Sequence, residues 1–565
     1  MGAPTRLWTT GRPVDDRLEF VGVADIVREG VLRARSGHPA PDHADDSPPP
    51  NTDDRRPAVI ATAIAAVLAG GYLLAPLTGQ DLSAQLARAD FAYAHPFTPV
   101  DLRWFGGSLQ FGYSLWAPWL AGLIGTRLLG ALMAVLGTWL ATRLMQVAAP
   151  ARPLWGGVAI AVCQVANLAQ GRVAYACGLV CALAAVLAML SDRRPSAVVM
   201  AVLAGAASPV ATLGLWVYAI TAALRRRVGD AVVLAVASAI GTAAVSVVFA
   251  DGRTMMFGRE SAIRAIIASL LVIALLPRRH NAIRIGAAVN LAVVIVSWAA
   301  PSPIGSNAER LGLLFAIPVI AAFAEWRAPI AAAAVVVAFI AQPPATLEIV
   351  KLAGVPATHA SYYRPLVTAI HDQGELTGRV EVPEMNGHWD AALLARHVPI
   401  ARGWLRQLDT KLNDDVFFEH PPNEASYKAW LATNAVQYVA LPDARLTPWG
   451  RRERALIQGG LPYLHDVWHD RHWTLYAVHG ATPIVSAPAQ LVSMDSARIV
   501  LTAPRNATVR IRMRWFDWTT LNAQSGACIE RSGDQVLLRT GGAERPGFRF
   551  VISSALSKGS RGHCQ

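Results

Sequence analysis

Charge is scarce in this chain. Only 16% of its 565 residues are Asp, Glu, Lys or Arg, and 53% are hydrophobic, where soluble domains carry roughly 25% charge. That shortage excludes an ordinary soluble protein. Acid is scarcer than base, 39 residues against 51, for a formal net charge of +12. A surplus of that size would fit a nucleic-acid partner if it were gathered on one face. Instead the arginines sit as small clusters between apolar runs, at Arg193-Arg194, Arg225 to Arg227 and Arg278-Arg279. Such clusters mark cytoplasmic turns of a membrane protein, and no nucleic-acid partner is expected. Cysteine is scarce too. The five have no CxxC spacing, which argues against a zinc ribbon or a redox dithiol. P-loop, Rossmann and serine-elbow patterns are missing as well, and with them those nucleotide-binding and hydrolase classes. The first 56 residues have no apolar h-region, so no cleavable signal peptide is read there.

What the chain does have is apolar runs. A bilayer crossing takes about 20 residues, and about eleven such stretches, several of them short, fill residues 57–342. The first, 57–77, is expected to act as an uncleaved anchor behind Arg55-Arg56. The others lie near 127–147, 154–169, 173–191, 195–208, 210–224, 231–250, 261–277, 283–300, 309–324 and 327–342. Arginines on both sides of 195–224, with Ser208-Pro209 in its middle, predict a hairpin of two short helices. Losing that one crossing would invert everything downstream. The count places the N-terminus in the cytoplasm and the C-terminal domain outside it.

Four regions follow from this reading: a disordered cytoplasmic tail (1–56), a multi-span domain (57–342) with a long first outer loop (77–126), an extracytoplasmic α/β domain (343–483) and a β-sandwich-like domain (484–565). The sandwich rests on strand alternation of the kind in Val509-Arg-Ile-Arg-Met-Arg. Cys163, Cys177 and Cys181 fall in apolar runs as small core residues. Cys528 and Cys564 permit one disulfide if their domain meets an oxidising compartment.

Candidate chemistry gathers in the outer loops. Asp81 lies just past the first span, where a carboxylate is costly unless solvated, paired or used. It reads either as a general base or as a helix cap. Asp101 is a second acid in the same loop. Residues 111–125 are apolar but short, with Trp116 and Trp119, and are expected to lie along the membrane surface or dip into it. Arg253, Arg259 and Arg310 sit in two later outer loops. Guanidinium suits phosphate where water is scarce, although Arg310 could equally pair with Glu309 or snorkel to headgroups. Trp104, Trp389 and Trp404 lie beside Arg or His and offer faces for a sugar, or else stack on those neighbours within the core. His465, His469 and His472 read as strand residues and not as a metal site.

The uncleaved first span, the long first outer loop with Asp81, the many short spans and the outer domain together resemble the C-type (GT-C) membrane glycosyltransferases of actinobacteria. So do Gly378-Arg-Val-Glu-Val-Pro, Ala401-Arg-Gly-Trp and His472-Trp-Thr-Leu-Tyr in the C-terminal block. The resemblance implies transfer, with inversion, of a sugar from a polyprenyl-phosphate donor to an envelope glycan or glycolipid at the membrane. Asp81 or Asp101 would then be the base, with Arg253, Arg259 and Arg310 on the donor phosphate and Trp104, Trp389 and Trp404 on the acceptor. No cofactor is expected. Asp81 lacks the adjacent acid found in several members, which leaves divalent-metal use open. A transporter or lipid flippase is the alternative reading, and a non-catalytic envelope assembly protein is a third.

Overall fold

The computed structural model describes residues 54–252, 254–325, 328–341, 350–522, 526–542, 547–556 and 562–564. The expected tail therefore lies outside the described residues up to residue 53, as does Arg253. Among the described residues, eleven apolar helices pack into one bundle. In chain order, with α2 and α3 lying in the first outer loop, α1 is Arg56–Leu74, α2 Leu82–Ala94, α3 Ala117–Ile124, α4 Thr126–Val147, α5 Pro153–Ala169, α6 Val173–Leu190 and α7 Arg194–Ala207. Then come α8 Thr212–Leu224, α9 Val228–Ser246, α10 Arg259–Leu275, α11 Asn281–Ala299, α12 Glu309–Phe323 and α13 Ala328–Ala341.

Among the described residues, six segments are long and apolar enough to cross a membrane. Five other helices, α5, α7, α8, α10 and α13, have 13 to 17 residues, about 20 to 26 Å of rise against a hydrocarbon core of about 30 Å. Apolar runs therefore overcount full-length spans. Small residues hold the bundle together. Ala58, Ala61, Ala65 and Ala69 make one buried seam along α1, and a side chain on Gly241 of α9 would collide with the Val202 carbonyl of α7. Without a hydrophobic drive between helices in lipid, such close approach supplies the packing.

Hydrogen bonds between loops define two sides. On one, Leu77 O accepts from Gly354 N, Gln170 O from Asp81 N, Ala206 O from Leu115 N and Ser302 O from Met255 N. There too Leu109 N donates to Asp251, and Gln407 Nε2 to Pro303 O. On the other, Asp54 O accepts from Gln146 Nε2, Ala322 O from Arg152 N, and Arg279 pairs with Glu325. Helices α7 and α8 join through Pro209–Ala211 as a hairpin, so the alternation survives past residue 224. The segment 111–125 contains only the eight-residue α3, too short to cross.

In the first long loop β1 (Val100–Asp101) pairs with β2 (Ser108–Leu109), and beyond residue 350 α14 (Ala360–Asp372) precedes a four-stranded sheet. Strands β3 (Arg379–Glu381) and β4 (Val436–Pro442) are parallel; β5 (Leu464–His469) and β6 (Trp473–Val478) complete the sheet antiparallel. Seven further strands between residues 490 and 554 form one four-stranded and one three-stranded sheet, packed face to face around Ile499, Leu501, Val509, Ile511, Val536 and Ile552. Cys528 and Cys564 are disulfide-bonded. The first outer loop joins these parts. Leu82, Ala84, Ala87, Trp104 and Phe105 enter the α/β core, while Val100 and Leu102 enter the sandwich core. Asp251 from the α9–α10 loop is buried against Arg514 of the sandwich. Asp81 thus lies where membrane helices and α/β domain meet.

Candidate active site

Asp81 is placed by a backbone contact. Gly79 has φ +103°, and a Cβ there would stand 2.5 Å from the Ala169 carbonyl. Gly171, at φ +82°, has no room for a side chain against the Leu82 backbone. With both glycines in place, Asp81 N donates to Gln170 O at 3.0 Å. The turn between α5 and α6 then presents Arg172, whose Nε lies 3.5 Å from Asp81 Oδ2. Arg310, at the start of α12, brings Nη2 to 3.9 Å from the same oxygen, with its guanidinium over the Tyr175 ring. Asp81 occupies the N-cap position of α2 but makes no side-chain capping bond. Its side chain is 24% exposed, those of Arg172 and Arg310 18% and 12%. Burial, and then the charge of Arg310, pull the Arg172 pKa below its usual value; its Nε has no hydrogen-bond partner among the described residues. This is one accessible carboxylate with two under-satisfied cations.

A second wall comes from residues 384–389. Ser83 Oγ donates to Gly387 O at 2.7 Å, fixing this loop to α2. Next to it the His388 ring lies flat on Trp404, centroids 3.6 Å apart and planes 8° from parallel. His388 Nε2 is 3.6 Å from Glu384 Oε1, and Glu384 is held by Arg406 and by Thr447 Oγ1. Burial lowers the His388 pKa to about 4, with Glu384 opposing and Arg406 adding to the shift. The imidazole is therefore neutral at pH 7. Arg88 on α2 sits over Tyr113, 4.2 Å from the ring centroid. Burial lowers its pKa, while Tyr113, Asp81 and Asp101 counteract this.

The other candidates have different surroundings. Both Asp101 oxygens are taken by Arg103 at 2.6 to 3.1 Å in a buried pair, so Asp101 braces the loop and has no carboxylate oxygen left over for an acceptor. Arg259 is exposed at the start of α10 and makes no ion pair with Asp81. Two of the three tryptophans expected at an acceptor are core residues: Trp104 is 1% exposed, with Nε1 on Ala391 O, and Trp389 is 0% exposed. Neither has a free ring face. Trp404 is half-buried and remains within reach. No metal-ligating group of three His, Cys, Asp or Glu exists among the described residues, and His465 and His469 lie on β5.

Arg172 was not singled out from the sequence, although Gly171-Arg172 lies in the three-residue turn before an apolar run. A lone Arg in so short an outer turn has little room to escape the bilayer face, and that was the signal available.

Several solved structures are similar to this chain. Arabinofuranosyltransferase AftD from Mycobacteria is 16% identical over 76% of this chain and 40% of its own, with a TM-score of 0.41. ArnT from Cupriavidus metallidurans bound to undecaprenyl phosphate is 15% identical over 75% of this chain and 98% of its own, TM-score 0.41. The Archaeoglobus fulgidus oligosaccharyltransferase in the apo form is 13% identical over 69% and 70%, TM-score 0.32. These neighbours are GT-C glycosyltransferases. The chain spans about two fifths of the length of the mycobacterial protein. Likeness at this level says nothing of activity. No protein-family model and no curated protein matches the chain.

Proposed function

We infer that this chain is a membrane glycosyltransferase that moves a sugar from a polyprenyl-phosphate donor to an envelope glycan or glycolipid on the outer face. One observation carries the reading: Asp81, partly exposed and making no capping bond, lies within 4 Å of Arg172 and Arg310 where the N-terminal ends of α2, α6 and α12 meet. An acceptor hydroxyl attacks the anomeric carbon, its proton passes to Asp81, and the carbon–oxygen bond to phosphate breaks with inversion. The departing polyprenyl phosphate gains a negative charge, which Arg172 and Arg310 offset at the place where it forms. Trp404, half-buried beside His388, is the acceptor contact, with Arg259 and Arg253 as outlying donor contacts. The Cys528–Cys564 disulfide supports an oxidising surrounding for this side, and the Arg clusters of the opposite turns support a cytoplasmic one there.

The test is transfer of radiolabel from a panel of polyprenyl-phosphate sugars to envelope acceptors by membranes containing the protein. Transfer above that of membranes without it is expected. Its absence across the panel contradicts the reading and favours transport or assembly.

A further inference from the structure

A cavity lies away from Asp81, at the other end of the helices. It measures about 450 Å³ and is lined by Ala274, Leu275, Leu276, Pro277, Arg278, Arg284 and Glu325. That size falls within the roughly 300–1,000 Å³ of small-molecule sites. Its walls are the end of α10, the start of α11 and the residue group just past α12. One wall is hydrocarbon and the other is cationic. Arg279 is neutralised by its ion pair with Glu325. Arg284 spends only Nε, on the Ile273 carbonyl at 3.0 Å; its two Nη groups have no partner among the described residues, nor does Arg278. The neighbouring His280 packs edge-on to Phe323. Two guanidiniums with open Nη groups therefore line a pocket with an apolar floor, where α10 ends and α11 begins.

We propose that this pocket is a binding site for the phosphate headgroup of an anionic phospholipid. The phosphate takes the fork donors of Arg278 and Arg284, as guanidinium geometry favours, and the acyl chains run along Leu275 and Leu276. Basic pockets between helices at a membrane face bind lipid phosphates in this way. The triplet Arg225 to Arg227, on the same side, supplies the contrast: it has comparable charge, with Arg227 paired to Asp230, and it does not line this cavity. The inference does not depend on the glycosyltransferase reading.

The experiment titrates the detergent-purified full chain with short-chain phosphatidylglycerol or phosphatidylcholine and follows bound lipid by native mass spectrometry. Saturable binding of phosphatidylglycerol, not displaced by phosphatidylcholine, is expected. Arg278→Ala with Arg284→Ala weakens it by about 30-fold, taking a factor of about five for each guanidinium near an anionic headgroup. Arg225→Ala with Arg226→Ala leaves it unchanged. Ala274→Trp fills the cavity, keeps every charge and weakens binding as well. Equal loss in the two double variants, full binding in Ala274→Trp, no preference for phosphatidylglycerol, or equally tight binding of glycerol phosphate alone would each overturn the proposal.

Discussion

Asp81, Arg172 and Arg310 come from three separate segments, and each has a different consequence when changed. Lysine at position 172 or 310 keeps the charge but loses the fork that guanidinium offers a phosphate. A charge-assisted hydrogen bond is worth about 1.5–3 kcal/mol. Either substitution is therefore expected to raise the donor KM at least about tenfold, as initial-rate kinetics at varied donor concentration would show. His388 makes a second prediction. Its folded pKa, about 4, lies below the unfolded value of about 6.5, so the unfolded chain binds more protons between these limits. The group's contribution is present above pH 6.5 and is lost as pH falls towards 4, by about 3 kcal/mol in all. Asp390, pushed up to about 7 by burial, acts in the opposite sense. Relative to the wild type, His388→Phe should therefore gain stability as pH falls from 6.5 to 4, and thermal unfolding across that range reads the difference. Asp81 and Arg310 were legible as candidates because their cost near a bilayer shows in one dimension. The partner Arg172 was not, since a turn of three residues gives no sign of which loop it will touch.

Elements meet through backbone here, and that gives a prediction of its own. Gly171→Ala cannot keep φ +82° without strain and would drive a methyl into the Leu82 backbone. The Asp81 loop must then move off the α5–α6 turn. Transfer is expected to fall by an order of magnitude or more, about what a misplacement near 1 Å costs, while unfolding of the α/β domain stays unchanged; circular dichroism melting beside the transfer assay separates the two. The periodic elements were the readable ones. The hairpin at 195–224 followed from arginines on both flanks and is present as α7 and α8. Helix length was less readable, because an apolar run does not show where Pro and Gly stop a helix short. Trp104 and Trp389 misled for a related reason. A tryptophan beside Arg or His has the same composition at a surface as in a core, and only long-range contacts decide, such as those of Trp104 to Gly403 and Ala391.

At the scale of the molecule, five loops between helices among the described residues share a side with the α/β and sandwich domains, and the remaining turns lie opposite. An impermeant thiol reagent on intact cells is expected to label Asp415→Cys, which is exposed on the first side, and to spare Arg226→Cys until the membrane is opened. The reverse pattern would invert the assigned orientation. The most direct measurement is radiolabel transfer by membranes holding equal amounts of wild type and Asp81→Asn. The substitution preserves size and removes only the proton acceptor. Loss of about 10²- to 10⁴-fold is expected, the usual contribution of a positioned base. Undiminished transfer by Asp81→Asn would contradict the account.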